Sequence, residues 1–245
     1  MQDSLEKLRR IKELAFMGKI TAGLSHEIKN TLAIINESVG LMGDLLDMKG
    51  ATDLPNQARL KRIIASIEEQ VQRSGAIVKR LNQFAHSMDK PVALLDLNKL
   101  VLEVTMLAQR SARLLGVHLD TQVTDEPLGV MSDPFRIQYV IFGFIEGALQ
   151  RSSPHRAKVL VACARCEQQA RVSVTDQGSP EGRQLREQIS TALASTNEVH
   201  QVGDDSELTL LVLTLAELGG LIEVEDQEET GTRVILYFPL KNPIK

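Results

Sequence analysis

The stretch Ile20-Thr21-Ala22-Gly23-Leu24-Ser25-His26-Glu27-Ile28-Lys29-Asn30 decides how this chain is read. Ile20, Leu24 and Ile28 recur every fourth residue, and the series continues through Ile35, Val39, Met42 and Leu46 at steps of 7, 4, 3 and 4. Steps of this kind put apolar side chains on one face of a helix in a heptad-like seam. At about 100° per residue, His26 points away from that seam. A lone surface histidine is ordinarily just solvated, but three neighbours give this one chemistry. Glu27 is placed to accept a proton from the imidazole or to hold its tautomer. Asn30, one turn along, is placed to orient a water or a phosphoryl oxygen. Gly23 and Ser25 leave room for a partner to approach. A zinc-protease reading fails, because that motif needs a second histidine at position 30.

A second stripe follows: Leu60, Ile63, Ile67, Val71, Val78, Leu81 and Ala85. Between the two, Asp47–Gln57 carries Gly50 and Pro55 and reads as a loop. Two long helices and a modest loop make an antiparallel hairpin. Two helices alone leave a wide apolar face, so a homodimer closing a four-helix bundle is expected. Pro91 ends the hairpin region. Asp96–Arg113 reads as a helix, and after Gly116 short β-rich runs alternate with helices. Val117–Val123, Lys158–Ala164, Ala170–Thr175, Leu221–Glu225 and Arg233–Phe238 read as strands. Asp133–Arg151, Glu181–Leu193 and Glu207–Leu218 read as helices. The pattern predicts a two-layer α/β sandwich. The organisation is therefore a helical domain over 1–90 and an α/β domain over 91–245.

The 245 residues suffice for two domains. A net charge of −4 argues against a general nucleic-acid binder. Aromatic residues make up 3% of the chain and tryptophan is absent, so aliphatic side chains must fill the core. The charged, amphipathic start does not read as a signal peptide. Leu208–Leu215, the most apolar stretch, is far shorter than the roughly 20 residues needed to cross a bilayer. No membrane insertion and a cytoplasmic location are expected. Cys163 and Cys166 form a C-x-x-C, but no second pair completes a zinc site, and residues three apart on a strand face opposite ways. They read as ordinary strand residues.

The run Phe16-Met17-Gly18-Lys19 followed by Ile20 to Asn30 resembles the phospho-acceptor box of bacterial two-component sensor histidine kinases. By that resemblance the hairpin is a dimerisation and phosphotransfer domain. His26 would carry a phosphoryl group on a ring nitrogen, Glu27 would assist proton removal, and Asn30 would support dephosphorylation of a response regulator. The order of elements from Asp96 to Leu240 resembles the ATP-binding domain of the same kinases.

Most of that domain's ATP chemistry is missing. Asp133-Pro134-Phe135-Arg136-Ile137-Gln138 resembles the lead-in to the first ATP motif, yet the two asparagine positions of the motif read Gly143 and Gly147. Glycine has no side chain to ligate Mg²⁺, and Glu146 falls on another part of the helix face. Val174-Thr175-Asp176-Gln177-Gly178-Ser179-Pro180 resembles the next motif. Asp176, the adenine reader in the family, and Gly178 are kept, but Pro180 replaces a glycine and removes a backbone donor. The glycine-rich lid falls at Gly203-Asp204-Asp205-Ser206-Glu207-Leu208. Its acids would each repel a phosphate by about 1 kcal/mol or more at close range. Gly231-Thr232, the closing motif, is kept.

Phosphoryl transfer from ATP depends on a bridging metal and charge neutralisation. The resemblance therefore implies a dimeric histidine phosphotransferase. Its partners would be response regulator receiver domains, with a sensor kinase as a further candidate. Mg²⁺ would come with the receiver and no cofactor with this chain. Asp176, Gly178, Gly231 and Thr232 would be a vestigial ATP site. Three rivals stay open: an active kinase that autophosphorylates His26 from ATP, a non-catalytic pseudokinase that regulates by binding, and a response-regulator phosphatase using Asn30.

Overall fold

The computed structural model describes residues 2–47, 54–89, 91–152, 158–177, 182–194, 206–227 and 231–241. Two long helices come first, α1 (Gln2–Asp47) and α2 (Leu54–His86). The second starts earlier than its apolar stripe, because Pro55 lies in the first helical turn, where a missing N–H costs nothing.

Two compact units emerge. One is the hairpin, residues 17–86; the other joins residues 1–16 to 87–245. Within the hairpin the seam differs from the expected stripe. Leu24, Thr31, Ser38 and Leu45 are buried on α1, with Ile28, Ile35 and Met42 half-buried between them. That is an a/d repeat at alternating steps of four and three. Val39 and Leu46, expected in the seam, are 47% and 56% exposed. On α2 the buried residues are Gln70, Ile77 and Phe84, while Val71 and Val78, also expected in the seam, are exposed. Leu24, Ile28, Ile35 and Met42 on α1 and Leu60, Ile63, Ile67 and Leu81 on α2 lie in the seam as expected, while Ser38, Leu45, Gln70, Ile77 and Phe84 are buried in place of Val39, Leu46, Val71, Val78 and Ala85. Thr31 Oγ1 lies 2.8 Å from Ile28 O and 2.6 Å from Ser74 Oγ, which lies 2.9 Å from Gln70 O, so one hydroxyl donates to the other and the second donates to its carbonyl. These bonds make burial of the hydroxyls tolerable.

The displaced apolar residues form rows of their own. Leu32, Val39 and Leu46 on α1, and Ile64, Val71 and Val78 on α2, are each spaced by seven and each exposed.

In the other unit, β1 (Ala93–Asp96) leads into α3 (Leu97–Leu115), and β2 (His118–Gln122) and β3 (Gly129–Ser132) precede α4 (Pro134–Arg151). Next come β4 (Lys158–Cys166), β5 (Gln169–Asp176), α5 (Gly182–Ala194), α6 (Ser206–Glu217), β6 (Leu221–Gln227) and β7 (Gly231–Pro239). The main sheet has the order β2-β4-β5-β7-β6, parallel at β2–β4 and antiparallel elsewhere. β1 and β3 form a separate antiparallel pair that the strand reading missed, each being four residues long.

Caps fix the helix starts. Asp96 accepts from Asn98 N, and Asp133 accepts from Arg136 N ahead of Pro134. Gly116, at φ 67°, closes α3 in the left-handed conformation that side chains resist. The core is aliphatic, as composition required. Val159 and Val161 of β4, Val172 and Val174 of β5, and Val234 and Leu236 of β7 meet Ile137, Ile141 and Ile145 of α4 and Val101 and Val104 of α3, all fully buried. Alternating burial along β4 shows one covered face, the mark of two layers. Cys163 is buried and Cys166 half-buried, both as free thiols. Burial pushes the Cys163 thiol up to about 12, with Asp96 adding to it, so this thiol is inert.

Residues 1–16 pack with the α/β unit. Phe16 sits against Phe135, Tyr139 and Phe142 with ring centroids at 5.6, 5.7 and 5.0 Å. Arg9 pairs with Glu217 at 2.8 Å, Lys12 with Glu207 at 3.4 Å, and Arg136 with both Glu217 and Glu13. Burial raises the Glu13 pKa and outweighs the opposing pull of Arg9 and Arg136. No helix among the described residues is long and apolar enough to cross a membrane.

Candidate functional site

His26 is exposed on α1, one turn from Asn30, whose side chain is also exposed. Asn30 Nδ2 lies 3.3 Å from His26 Nδ1. With the amide nitrogen donating, this contact goes with an imidazole proton on Nε2. With the Asn30 amide turned over, Oδ1 would accept from Nδ1–H and leave the Nε2 lone pair free. The i,i+4 spacing on one helix face brings these two residues together. Glu27 is half-buried and, as the next residue, projects about 100° around the helix from His26. Thr31, immediately below, anchors this turn through the buried Thr31–Ser74 contact. The imidazole is thus exposed and contacts an amide one turn away.

The second site lies in the α/β unit, where β5 ends. Asp176 is buried, with none of its side chain exposed. Its Oδ1 accepts from Thr232 N at 3.1 Å. Its Oδ2 accepts from Arg151 Nε at 3.1 Å and from Arg151 Nη2 at 2.9 Å. Gly231 is obligatory here: a Cβ would lie 1.8 Å from the Asp176 carbonyl oxygen. Thr232 is fully buried, and its Oγ1 has no hydrogen-bond partner among the described residues. Gly178 lies outside the described residues, as do Pro180, Gly203, Asp204 and Asp205. Glu207 is exposed on α6 and pairs with Lys12.

Arg151 was not picked out by the sequence reading. Two signals pointed to it: it stands four residues after Gly147, hence on the same helix face, and a carboxylate buried at a strand end needs a counter-charge.

No protein-family profile matches the chain. Among curated proteins, sporulation kinase A of Bacillus subtilis strain 168 is 24% identical over 237 residues, covering 96% of this chain and 37% of its own length. Sensor histidine kinase ZraS of Escherichia coli K12 is 23% identical over 235 residues, covering 96% of this chain and 48% of its own. Sensor protein FixL of Bradyrhizobium diazoefficiens is 26% identical over 181 residues, covering 73% of this chain and 35% of its own. Along most of its length the chain is similar to sensor histidine kinases. It spans 35 to 48% of the length of these three relatives.

Solved histidine kinases share the fold. The nucleotide-free catalytic domain of histidine kinase ThkA aligns with a TM-score of 0.52 at 23% identity, over 62% of this chain and 100% of that one. Full-length ShkA in complex with AMPPNP aligns with a TM-score of 0.51 at 18% identity, over 89% of this chain and 46% of that one.

The residues present do not fit the Mg²⁺–ATP that the kinase fold implies. A Cβ on Gly143 would lie 2.5 Å from Leu211 Cδ1 and 2.6 Å from Cδ2, so α6 occupies the place of a ligand side chain. A Cβ on Gly147 would lie 3.2 Å from Arg151 Nη1, so the guanidinium crowds the second. Leu211 thus fills the first of the two asparagine positions and Arg151 crowds the second.

Proposed function

We propose that this histidine kinase relative is a dimeric histidine phosphotransferase of a two-component phosphorelay. The observation that carries the proposal is the contrast between its two sites. His26 is exposed and held by Asn30, whereas Asp176 is closed by Arg151 and the position of Gly143 is filled by Leu211.

The donor would be the aspartyl phosphate of one response regulator receiver domain, with the Mg²⁺ that domain carries. A neutral ring nitrogen of His26 attacks phosphorus. The acyl P–O bond breaks, the aspartate leaves as a carboxylate, and an N–P bond forms. The proton on the other ring nitrogen becomes more acidic and is stabilised by Asn30 Oδ1 or by Glu27. The reverse step on a second receiver returns the phosphoryl group to an aspartate.

The exposed seven-spaced rows Leu32, Val39, Leu46 and Ile64, Val71, Val78 support a homodimer, since a second hairpin would cover them. With no membrane-spanning helix among the described residues, the reading places the chain in the cytoplasm.

The test uses a receiver domain labelled on its aspartate by radioactive acetyl phosphate and Mg²⁺. Acid-labile label should move to this chain and not to His26→Gln. Label reaching His26 directly from ATP would replace the reading with an active kinase. Receiver binding without any label transfer would favour a purely regulatory protein. Receiver phosphate lost to water, and lost more slowly with Asn30→Ala, would favour a phosphatase.

A further inference from the structure

Arg151 lies at the end of α4, with 16% of its side chain exposed, and ends on a carboxylate that has none exposed. Two of its nitrogens share one oxygen of Asp176, and Thr232 N holds the other. A carboxylate with no route to water must be neutralised or protonated. The guanidinium supplies that neutralisation from within the chain. Gly147 makes the arrangement possible: a Cβ there would already be 3.2 Å from Arg151 Nη1, and a longer side chain would compete for the same space. Thr232 Oγ1, buried beside this pair, has no hydrogen-bond partner among the described residues.

We infer that Arg151 is an internal surrogate for a nucleobase, and that its removal uncovers a site for an amino-purine. This rests on the vestigial-site reading of Asp176 and deepens it. The guanidinium presents to the carboxylate the same N–H donors that an exocyclic amine would. It keeps β5, β7 and the end of α4 tied together with no ligand bound. Nucleotide is therefore excluded by an occupant as well as by missing ligands. The uncovered site takes a base and ribose, because the occupied position at Gly143 still gives a triphosphate no metal.

The experiment titrates adenosine and inosine into the full chain and into Arg151→Ala, followed by calorimetry and by the shift in thermal midpoint. The wild-type chain should bind neither nucleoside at millimolar concentration. Arg151→Ala should bind adenosine at least ten-fold more tightly than wild type does. Inosine, which lacks the exocyclic amine, should bind no better than to wild type. Methylguanidinium should also raise the midpoint of Arg151→Ala, by restoring the lost donors.

Should Arg151→Ala fail to fold alone, Arg151→Gln is the second variant, and adenosine should raise its midpoint. A folded variant that ignores adenosine overturns the inference, as does wild type binding adenosine equally well or a variant that binds inosine as tightly. These outcomes leave phosphotransfer through His26 untouched. Receiver-to-His26 transfer, run on the same preparations, fails or succeeds separately.

Discussion

Replacing Gly143 by alanine should weaken this protein, although it exchanges a poor helix former for the best one. In a helix interior alanine is favoured over glycine by about 1 kcal/mol. Here the added methyl would meet Leu211 Cδ1 at 2.5 Å, Cδ2 at 2.6 Å and Cγ at 3.1 Å. Leu211 is 4% exposed, so it has no open solvent to swing into. Forcing a methyl into a packed core costs about 1–3 kcal/mol. The two effects leave a net loss of about 0–2 kcal/mol. Leu211→Ala alone should lose about 2–5 kcal/mol as a cavity. In that background the methyl meets no leucine, the helix preference survives, and Gly143→Ala should become stabilising by about 1 kcal/mol. Urea unfolding of the four proteins, with slopes that agree, gives the cycle its coupling energy. If Gly143→Ala stabilised the otherwise native chain by the full 1 kcal/mol or so, Leu211 would not fill that position, and the argument that α6 excludes a metal ligand would fall.

Three further outcomes are expected. Val39→Asp together with Val71→Asp should convert a dimer to a monomer in light scattering, while Lys29→Asp together with Lys61→Asp, at exposed positions outside these rows, should not. Thr31→Val with Ser74→Ala should leave the hairpin as stable or more so, because both partners of the buried hydroxyl contact go together; Thr31→Val alone should cost about 1 kcal/mol or more in chemical denaturation. Glu13 has a raised pKa in the folded chain, so the folded state holds its proton longer and stability falls as pH rises from about 4.5 upward. Glu13→Gln should flatten that part of the pH–stability profile, and an unchanged slope would show that burial does not govern this carboxylate.

Much of the architecture was legible in the sequence because period and punctuation agreed. Asp96 and Asp133 announced helix starts, Gly116 an end, and the valine-rich runs the central strands. The hairpin seam was legible at Leu24, Ile28, Ile35 and Met42 but misplaced by one residue at Val39 and Leu46, and an apolarity pattern could not see that Thr31 carries its own hydrogen-bond partners inward. β1 and β3 escaped because four residues are too few to show a period. The packing of residues 1–16 on the α/β unit escaped because a continuous helix gives no sign of where its neighbours change. At the sites, His26 and Asn30 stood out by spacing on one helix, and Gly143 and Gly147 by the absence of side chains. What filled the vacated space, Leu211 and Arg151, came from elements distant in sequence or from a charge with no visible partner.

The hairpin places hydroxyls and an amide between its own helices and leaves leucine and valine on the outside. On the proposed homodimer reading, such a chain gains less by folding alone than by folding with a second copy. Its persistence then depends on how much of it is present, since mass action links assembly to folding. Dilution would release subunits and loosen the helix that carries His26 in one event. The abundance of the protein would thereby set the number of competent histidines more steeply than in direct proportion.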